Sequence, residues 1–293
     1  MKVKNFLRCI IPSSLSLLLC VCLVAFAVAI TPLEVAAEEA KAAHGQGDLG
    51  EAATNPVSNL IQFRLQNAYN PSVYNADGYS NAFLVQTVVP LSSLAEKFDS
   101  LKGIVTRTTL PFVSTPDLDD VGRQHGFGDT NFLAFAVPKA APKNTVWGVG
   151  PALNIPTGGT DRFTGSGSWQ GGPAAVAMAT PIKGLQVGAL AFHVWDFHKF
   201  RSDANDVSTT SIQPILTKHF DKGWYVSLPD TPQSYNWQTE NWTLNLGGVL
   251  GRVFPVGGQP MQIFGGAYYN PEDNDVPAGE WTFKFQIGWL FPQ

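Results

Sequence analysis

From residue 59 onward, apolar and polar side chains alternate with a period of two. The C-terminal stretch EWTFKFQIGWLFPQ shows this most plainly: Trp281, Phe283, Phe285, Ile287, Trp289 and Phe291 alternate with Thr282, Lys284, Gln286, Gly288 and Leu290. On an extended strand that spacing gathers the bulky set on one face. The pattern recurs upstream. NLIQFRLQNAY sets Ile61, Phe63, Leu65 and Tyr69 against Gln62, Arg64 and Gln66, and NAFLVQTVV sets Phe83, Val85 and Val89 against Gln86. GIVTRTTLPF puts Arg107 opposite Ile104, Thr106 and Leu110, and TVWGVGPALNIP sets Trp147, Val149, Leu153 and Ile155 against Gly148, Gly150 and Asn154. Twelve strands are predicted, within about two, at 59–69, 81–89, 103–112, 130–137, 145–156, 172–179, 186–196, 208–218, 224–230, 241–252, 260–269 and 281–291.

The connectors alternate too. PKAAPKN, TPIKG, HFDKG and FPVGGQ are short and turn-like, whereas NPSVYNADGYS, VSTPDLDDVGRQHGFGD, TGGTDRFTGSGSW, HKFRSDAND, DTPQSYNWQTE and NPEDNDVPAGE are long and polar. Short turns at one end, long loops at the other and an even number of strands of about ten residues make the layout of an antiparallel outer-membrane β-barrel. PLSSLAEKFDSLKG breaks the rule, standing where a short turn belongs, and is expected to hold a helical turn.

The chain's start fits export. MKVKNFLR carries Lys2, Lys4 and Arg8 and precedes a long apolar run ending in small residues, so 1–37 reads as a secretory signal peptide, cut after Ala29 or Ala37. A retained membrane anchor is the alternative. A lipoprotein is disfavoured, because Leu19 precedes Cys20. Cys9, Cys20 and Cys22 all lie in this segment, which excludes disulfides, thiolate metal sites and a cysteine nucleophile from the mature chain. Losing Lys2, Lys4, Arg8 and Glu34 moves the formal charge from −4 to −6, against a nucleic-acid partner. Charged residues are only 14% of the chain, against about 25% in average soluble proteins. Residues 38–56 are small and polar and are expected to form a flexible periplasmic lead-in, or alternatively a short lumen plug. The barrel would occupy 57–293. A secreted soluble sandwich or lipocalin-like barrel is the competing fold.

In lipid, a closed barrel satisfies every backbone polar group and needs only hydrocarbon against its apolar face. Outer-membrane lipid and lipopolysaccharide are therefore expected partners. Tyr69, Trp147, Trp169, Trp195, Trp224, Tyr225, Trp237, Trp242, Tyr268, Tyr269, Trp281 and Trp289 are expected in interfacial girdles. Phe291, with Trp289, is the expected signal to the outer-membrane assembly machinery.

Several segments also resemble a known family. NPVSNLIQFRLQN, TRTTLPFVSTPD, FGDTNFLAFAVPK, WGVGPALNIPTG, LPDTPQSYNW, WTLNLGGVLGRVF, GGQPMQIFGGAYYN and KFQIGWLFP are similar, in this order, to segments of the outer-membrane barrel family named after the meta-pathway of phenol degradation. The resemblance covers about Asn55 to Pro292. It implies a bacterial outer-membrane barrel and a role in passage of hydrophobic or aromatic compounds, and it supplies no functional residues.

With the Trp281 face outward, Gln62, Arg64, Gln66, Gln86, Arg107, Asn154, His193, Gln213, Asn245, Lys284 and Gln286 are assigned to the lumen. Twelve strands lie between barrels filled by side chains and open sixteen-stranded porins, so a narrow passage for a small-molecule solute is expected. Arg64, Arg107 and Lys284 would favour anions or hold a substrate carboxylate or phenolate; alternatively they pair internally and stiffen the barrel. A non-transport barrel acting through its loops is the rival from another class. Lipid hydrolysis would need a nucleophile, a base and an orienting group, for which Ser211 beside His193 is the nearest approach. Three acids in PDLDD fall short of a calcium site, and TGGTDRFTGSGS lacks the lysine and helix of a phosphate loop. NWT at Asn241 matches a glycosylation sequon only formally. No enzyme activity, cofactor or metal is expected.

Overall fold

A computed structural model describes residues 49–117, 121–158, 163–228, 230–272 and 278–292. The signal-peptide assignment and residues 38–48 lie outside the described residues. The strands are β1 (Leu60–Asn70), β2 (Ser80–Pro90), β3 (Leu101–Ser114), β4 (His125–Phe127), β5 (Thr130–Pro138), β6 (Thr145–Ile155), β7 (Ser168–Ile182), β8 (Leu185–Lys199), β9 (Ser208–His219), β10 (Trp224–Leu228), β11 (Gln233–Asn236), β12 (Asn241–Thr243), β13 (Leu246–Val256), β14 (Gln259–Tyr269) and β15 (Trp281–Pro292).

Twelve of these form the wall, in the order β1-β2-β3-β5-β6-β7-β8-β9-β10-β13-β14-β15. The final strand returns to the first, with Leu60 opposite Pro292 and Tyr69 opposite Phe283, so the antiparallel ring closes without an edge. The other three are short: β4 pairs with β3, β11 extends the line of β10 along β9, and β12 pairs with β11. An eleven-residue strand such as β1, tilted by about 40°, rises roughly 28 Å along the axis, the height of a membrane barrel's apolar band.

Turn chemistry explains the tight end. Gly257 and Gly258 join β13 to β14 with φ of 57° and 85°, the paired positive values that a two-residue hairpin turn requires. The irregular connector before β3 holds one helical turn, Ser92–Ala95, as its composition suggests. One predicted strand divides. Alternation alone reads 241–252 as a single run, but β12 ends at Thr243 and β13 begins at Leu246 and reaches Val256. Between them the Leu244 backbone N–H donates to Asn270 Oδ1 and Asn245 is bound by Pro232 and Gln233, so loop contacts take the backbone groups a continuous ladder would have used.

Alternation sorts the side chains as expected on β15, where Lys284, Gln286 and Leu290 are buried and Trp281, Phe283 and Phe291 are exposed. Outward-facing Leu216, Leu246, Leu250 and Phe197 are each more than two-fifths exposed, an apolar surface far beyond what a soluble monomer usually leaves in water.

Within the expected lead-in, the described residues 49–54 are helical and sit inside the turn end of the barrel. Ala53 is fully buried among Leu60, Tyr225, Val249, Val253, Phe264, Tyr268 and Leu290, with Leu49 and Ala52 packed alongside. A second inward apolar cluster, including Val88, Val105, Leu133, Phe135, Val176, Leu190 and Val194, lines the wall from β2 to β8.

Candidate functional site in the barrel lumen

The inward polar residues of neighbouring strands meet in a belt. Gln86 Nε2 on β2 donates to Thr109 Oγ1 on β3 (2.9 Å), and Gln86 Oε1 accepts from Arg64 Nη1 on β1 (3.0 Å). Gln66 Nε2 donates to Gln286 Oε1 on β15, and Gln286 Nε2 to Gln262 Oε1 on β14, each at 2.8 Å. Gln262 Nε2 then donates to the Tyr225 hydroxyl on β10 at 2.9 Å, passing over β13. That crossing is possible because β13 carries Gly251 there; a Cβ at this position would lie 2.2 Å from Tyr225 Cζ. Glutamine suits such a belt, since each amide both donates and accepts and can pass the bond to the next strand.

The helix is tied into the same belt. Arg64 Nη2 donates to the Ala53 carbonyl (2.9 Å) and Arg64 Nε to Gln62 Oε1 (2.9 Å), so the guanidinium is held by neutral acceptors on three sides. Gln186 Nε2 donates to the Glu51 carbonyl (2.8 Å), Thr54 Oγ1 donates to Gln186 Oε1 (2.6 Å), and Glu51 Oε1 accepts the Gly184 N–H (3.0 Å). Towards the loop end, Asp230 turns inward where the wall breaks between β10 and β11. It pairs with Lys284 (3.1 Å) and accepts from the Tyr268 hydroxyl.

Two cavities flank the helix. A vestibule of about 1130 Å³ opens at the turn end, bounded by Glu51, Ala52, Asn55, Lys102 and Lys183 among others. A central cavity of about 310 Å³ lies further in, with Ala53, Thr54 and Pro56 on its floor. Its lining mixes polar side chains, including Arg64, Gln66, Gln86, Arg107, Lys284 and Gln286, with apolar ones, including Val88, Leu190, Phe192 and Ile215.

Of the residues assigned to the lumen, Gln62, Gln66, Gln86, Lys284 and Gln286 are buried inside, and Arg64, Arg107 and Gln213 line the central cavity. Asn154 also faces inward, bridging Asn131 and Gln170 at 2.8 Å each, apart from the cavity lining. Two assignments are corrected. His193 faces outward: on β8 the inward set is Gln186, Leu190, Phe192 and Val194, and period two places His193 with Trp195, its ring 5.6 Å away, and with Thr210 Oγ1 at 2.8 Å. Asn245 belongs to no strand; it holds the 232–233 segment at the loop end. Tyr225 and Tyr268 are also not girdle residues, being 1% exposed and turned inward. Trp289 and Phe291 face outward, the Trp289 ring 5.7 Å from that of Phe63 on β1 at a tilt of 43°.

Ser211 and His193 cannot act together, since they face opposite sides of the wall and bond to Ser234 and Thr210 respectively. Among the described residues, no group of three or more His, Cys, Asp or Glu side chains could hold a metal ion. Asp119 and Asp120 of PDLDD, and 159–162 of the glycine-rich loop, lie outside the described residues. Tyr225, Asp230, Gln262 and Tyr268 are inward-facing polar groups that sequence reasoning missed.

These features define a closed, twelve-stranded antiparallel barrel of the outer-membrane type, with a helix lodged in one end. Comparison with solved structures agrees: an outer membrane channel from Pseudomonas putida F1 shares the fold, with TM-score 0.59 and 17% identity over 79% of this chain and 94% of that one. Outer membrane phospholipase A from Escherichia coli (12% identity, 79% of this chain and 92% of that one) and a Salmonella typhi outer membrane phospholipase (13% identity, 84% and 98%) align with TM-scores of 0.42, too low to bear on activity. No protein-family model and no curated protein matches the sequence.

Proposed function

We propose that this protein is an outer-membrane channel, a passive uptake port for small hydrophobic or aromatic compounds. The observation that carries the reading is the central cavity: the barrel interior holds a chamber lined by both polar and apolar side chains, of a size suited to a small molecule. The fold shared with the Pseudomonas putida channel supports it, as does the outward apolar surface, which lipid would satisfy. In this reading the turn end is periplasmic, 1–37 directs export, and Trp289 and Phe291 present the outward C-terminal face to the assembly machinery. The family named after phenol degradation remains the resemblance from which aromatic solutes are proposed. The helix at 49–54 obstructs the periplasmic mouth, so passage runs beside it or requires it to shift.

The test is planar-bilayer conductance of the refolded mature protein, with heat-modifiable gel mobility reporting a folded barrel. Discrete, reproducible conductance steps are expected. Their absence, together with failure of vesicles carrying the protein to take up radiolabelled phenol faster than bare vesicles, would favour the rival loop-mediated role.

A further inference from the structure

We infer that the central cavity is a binding site for a small organic anion with an apolar body, its carboxylate or phenolate held by Arg107. The inference deepens the proposed passage by naming the class of solute, and it rests on that reading only for the solute's route.

The two lumen arginines differ in one respect. Arg64 spends its donors on Gln62, Gln86 and the Ala53 carbonyl. Arg107, which also lines the cavity, makes one long bond, 3.4 Å from Nη1 to Gln213 Oε1, and its buried Nε meets no acceptor among the described residues. A guanidinium carries five N–H groups in a fixed fork, and leaving them unmet away from water is costly. The Nε is occluded, so a solute carboxylate would bond the part of the guanidinium that borders the cavity and supply the counter-charge the group lacks.

The charges around the cavity point the same way. Its lining contains Arg64, Arg107 and Lys284 as cations and Asp230 as its one acid among the described residues. Asp230 is already engaged by Lys284 and by the Tyr268 hydroxyl. Arg64 and Arg107 line the same cavity. The lining therefore carries a net positive charge among the described residues. The other requirement is apolar: Leu190, Phe192 and Ile215 give apolar surface against which an aromatic or aliphatic body loses its water. An inorganic anion would use only the first feature and a neutral hydrocarbon only the second.

The probe is benzoate, titrated calorimetrically into refolded mature protein in detergent, with acetate and benzyl alcohol as partial mimics. Benzoate is expected to bind at least tenfold more tightly than either. Arg107→Gln should abolish the preference over benzyl alcohol, and Ile215→Trp, which fills the cavity without changing charge, should weaken benzoate at least tenfold. Gel mobility identifies folded variants, and if neither folds the wild-type preference still decides. Equal affinity for benzoate and acetate, or for benzoate and benzyl alcohol, no detectable benzoate binding, or unchanged affinity in folded Arg107→Gln overturns the inference. Conductance without benzoate binding would leave the channel standing and remove the site; benzoate binding without conductance would do the reverse.

Discussion

Replacing Asp230 by asparagine removes one charge from the lumen and almost no volume. Lys284 Nζ lies 3.1 Å from Asp230 Oδ2, and the two side chains are only 10% and 19% exposed. At an effective dielectric of about 20, unit charges at that distance attract by about 5 kcal/mol, and desolvating the two ions cancels much of it. Removing one partner is different, because Lys284 then keeps its desolvation cost without its counter-charge, a loss of about 3–5 kcal/mol for a fully buried pair. Two features soften it here. Both side chains border the central cavity, and Lys284 Nζ lies 5.7 Å from the Phe264 ring, within cation–π range. The introduced amide also retains an oxygen for the Tyr268 hydroxyl. We therefore expect Asp230→Asn to cost about 2–4 kcal/mol. The double variant Asp230→Asn/Lys284→Met, with both charges gone, should return to within about 1 kcal/mol of wild type, since removing a buried pair together is often near neutral. The assay is urea unfolding in lipid vesicles followed by tryptophan fluorescence, with Lys284→Met as the fourth corner of the cycle. A loss below about 0.5 kcal/mol for Asp230→Asn, or strict additivity in the double variant, would refute the claim that the pair holds this part of the wall.

Gly251→Ala drives a methyl group into the Tyr225 ring and should cost about 2–4 kcal/mol by the same assay, from overpacking and a released Gln262 amide. Gly103→Ala, whose Cβ meets nothing within 4 Å, should stay within about 0.5 kcal/mol. Glu51→Ala/Thr54→Val removes the side-chain ties of the helix to Gly184, Gln186 and His219 and should raise conductance in planar bilayers; an unchanged current would mean the helix does not limit passage. A cysteine at Asn205, in an exposed loop after β8, should react with an impermeant maleimide on intact cells, and one at Ala141 should not; the opposite labelling would invert the barrel.

The wall was largely legible because alternation is a local signal: each strand declares itself from its own ten residues. Face assignment was legible where the inward residues are polar, as with Gln62, Arg64 and Gln66 on β1. It fails on β8, where polarity points His193 to the lumen but the inward set is mostly apolar. The sequence did hold a corrective. Trp224 and Tyr225 are adjacent, as are Tyr268 and Tyr269, and adjacent strand residues face opposite sides, so both of a pair could not stand in one outer girdle. Asp230 had no such signal, because a break in the wall brings it inward. The helical residues 49–54 were hidden for another reason: their apolar positions, Leu49, Ala52 and Ala53, are mostly small alanines in a stretch that composition reads as polar and flexible.

In a barrel whose outer face meets only hydrocarbon, specific polar contacts must come from within, so a lumen cation can serve either the wall or a solute. Hydrogen-bond satisfaction separates the two roles. Arg64 joins β1, β2 and the helix through all three guanidinium nitrogens, whereas Arg107 lines the cavity and has a buried Nε unmet. Arg64→Gln loses charge-assisted bonds to Gln86 and the Ala53 carbonyl and should cost about 2–4 kcal/mol of stability, at about 1.5–3 kcal/mol per such bond with partial replacement by the new amide. Arg107→Gln loses one long bond and a buried donor that has no acceptor, so it should cost less than about 1 kcal/mol. The function readouts should reverse that order, with reversal potential under a salt gradient shifting away from anions in Arg107→Gln. If Arg107→Gln destabilises more than Arg64→Gln, Arg107 belongs to the wall and the cavity loses its anchor.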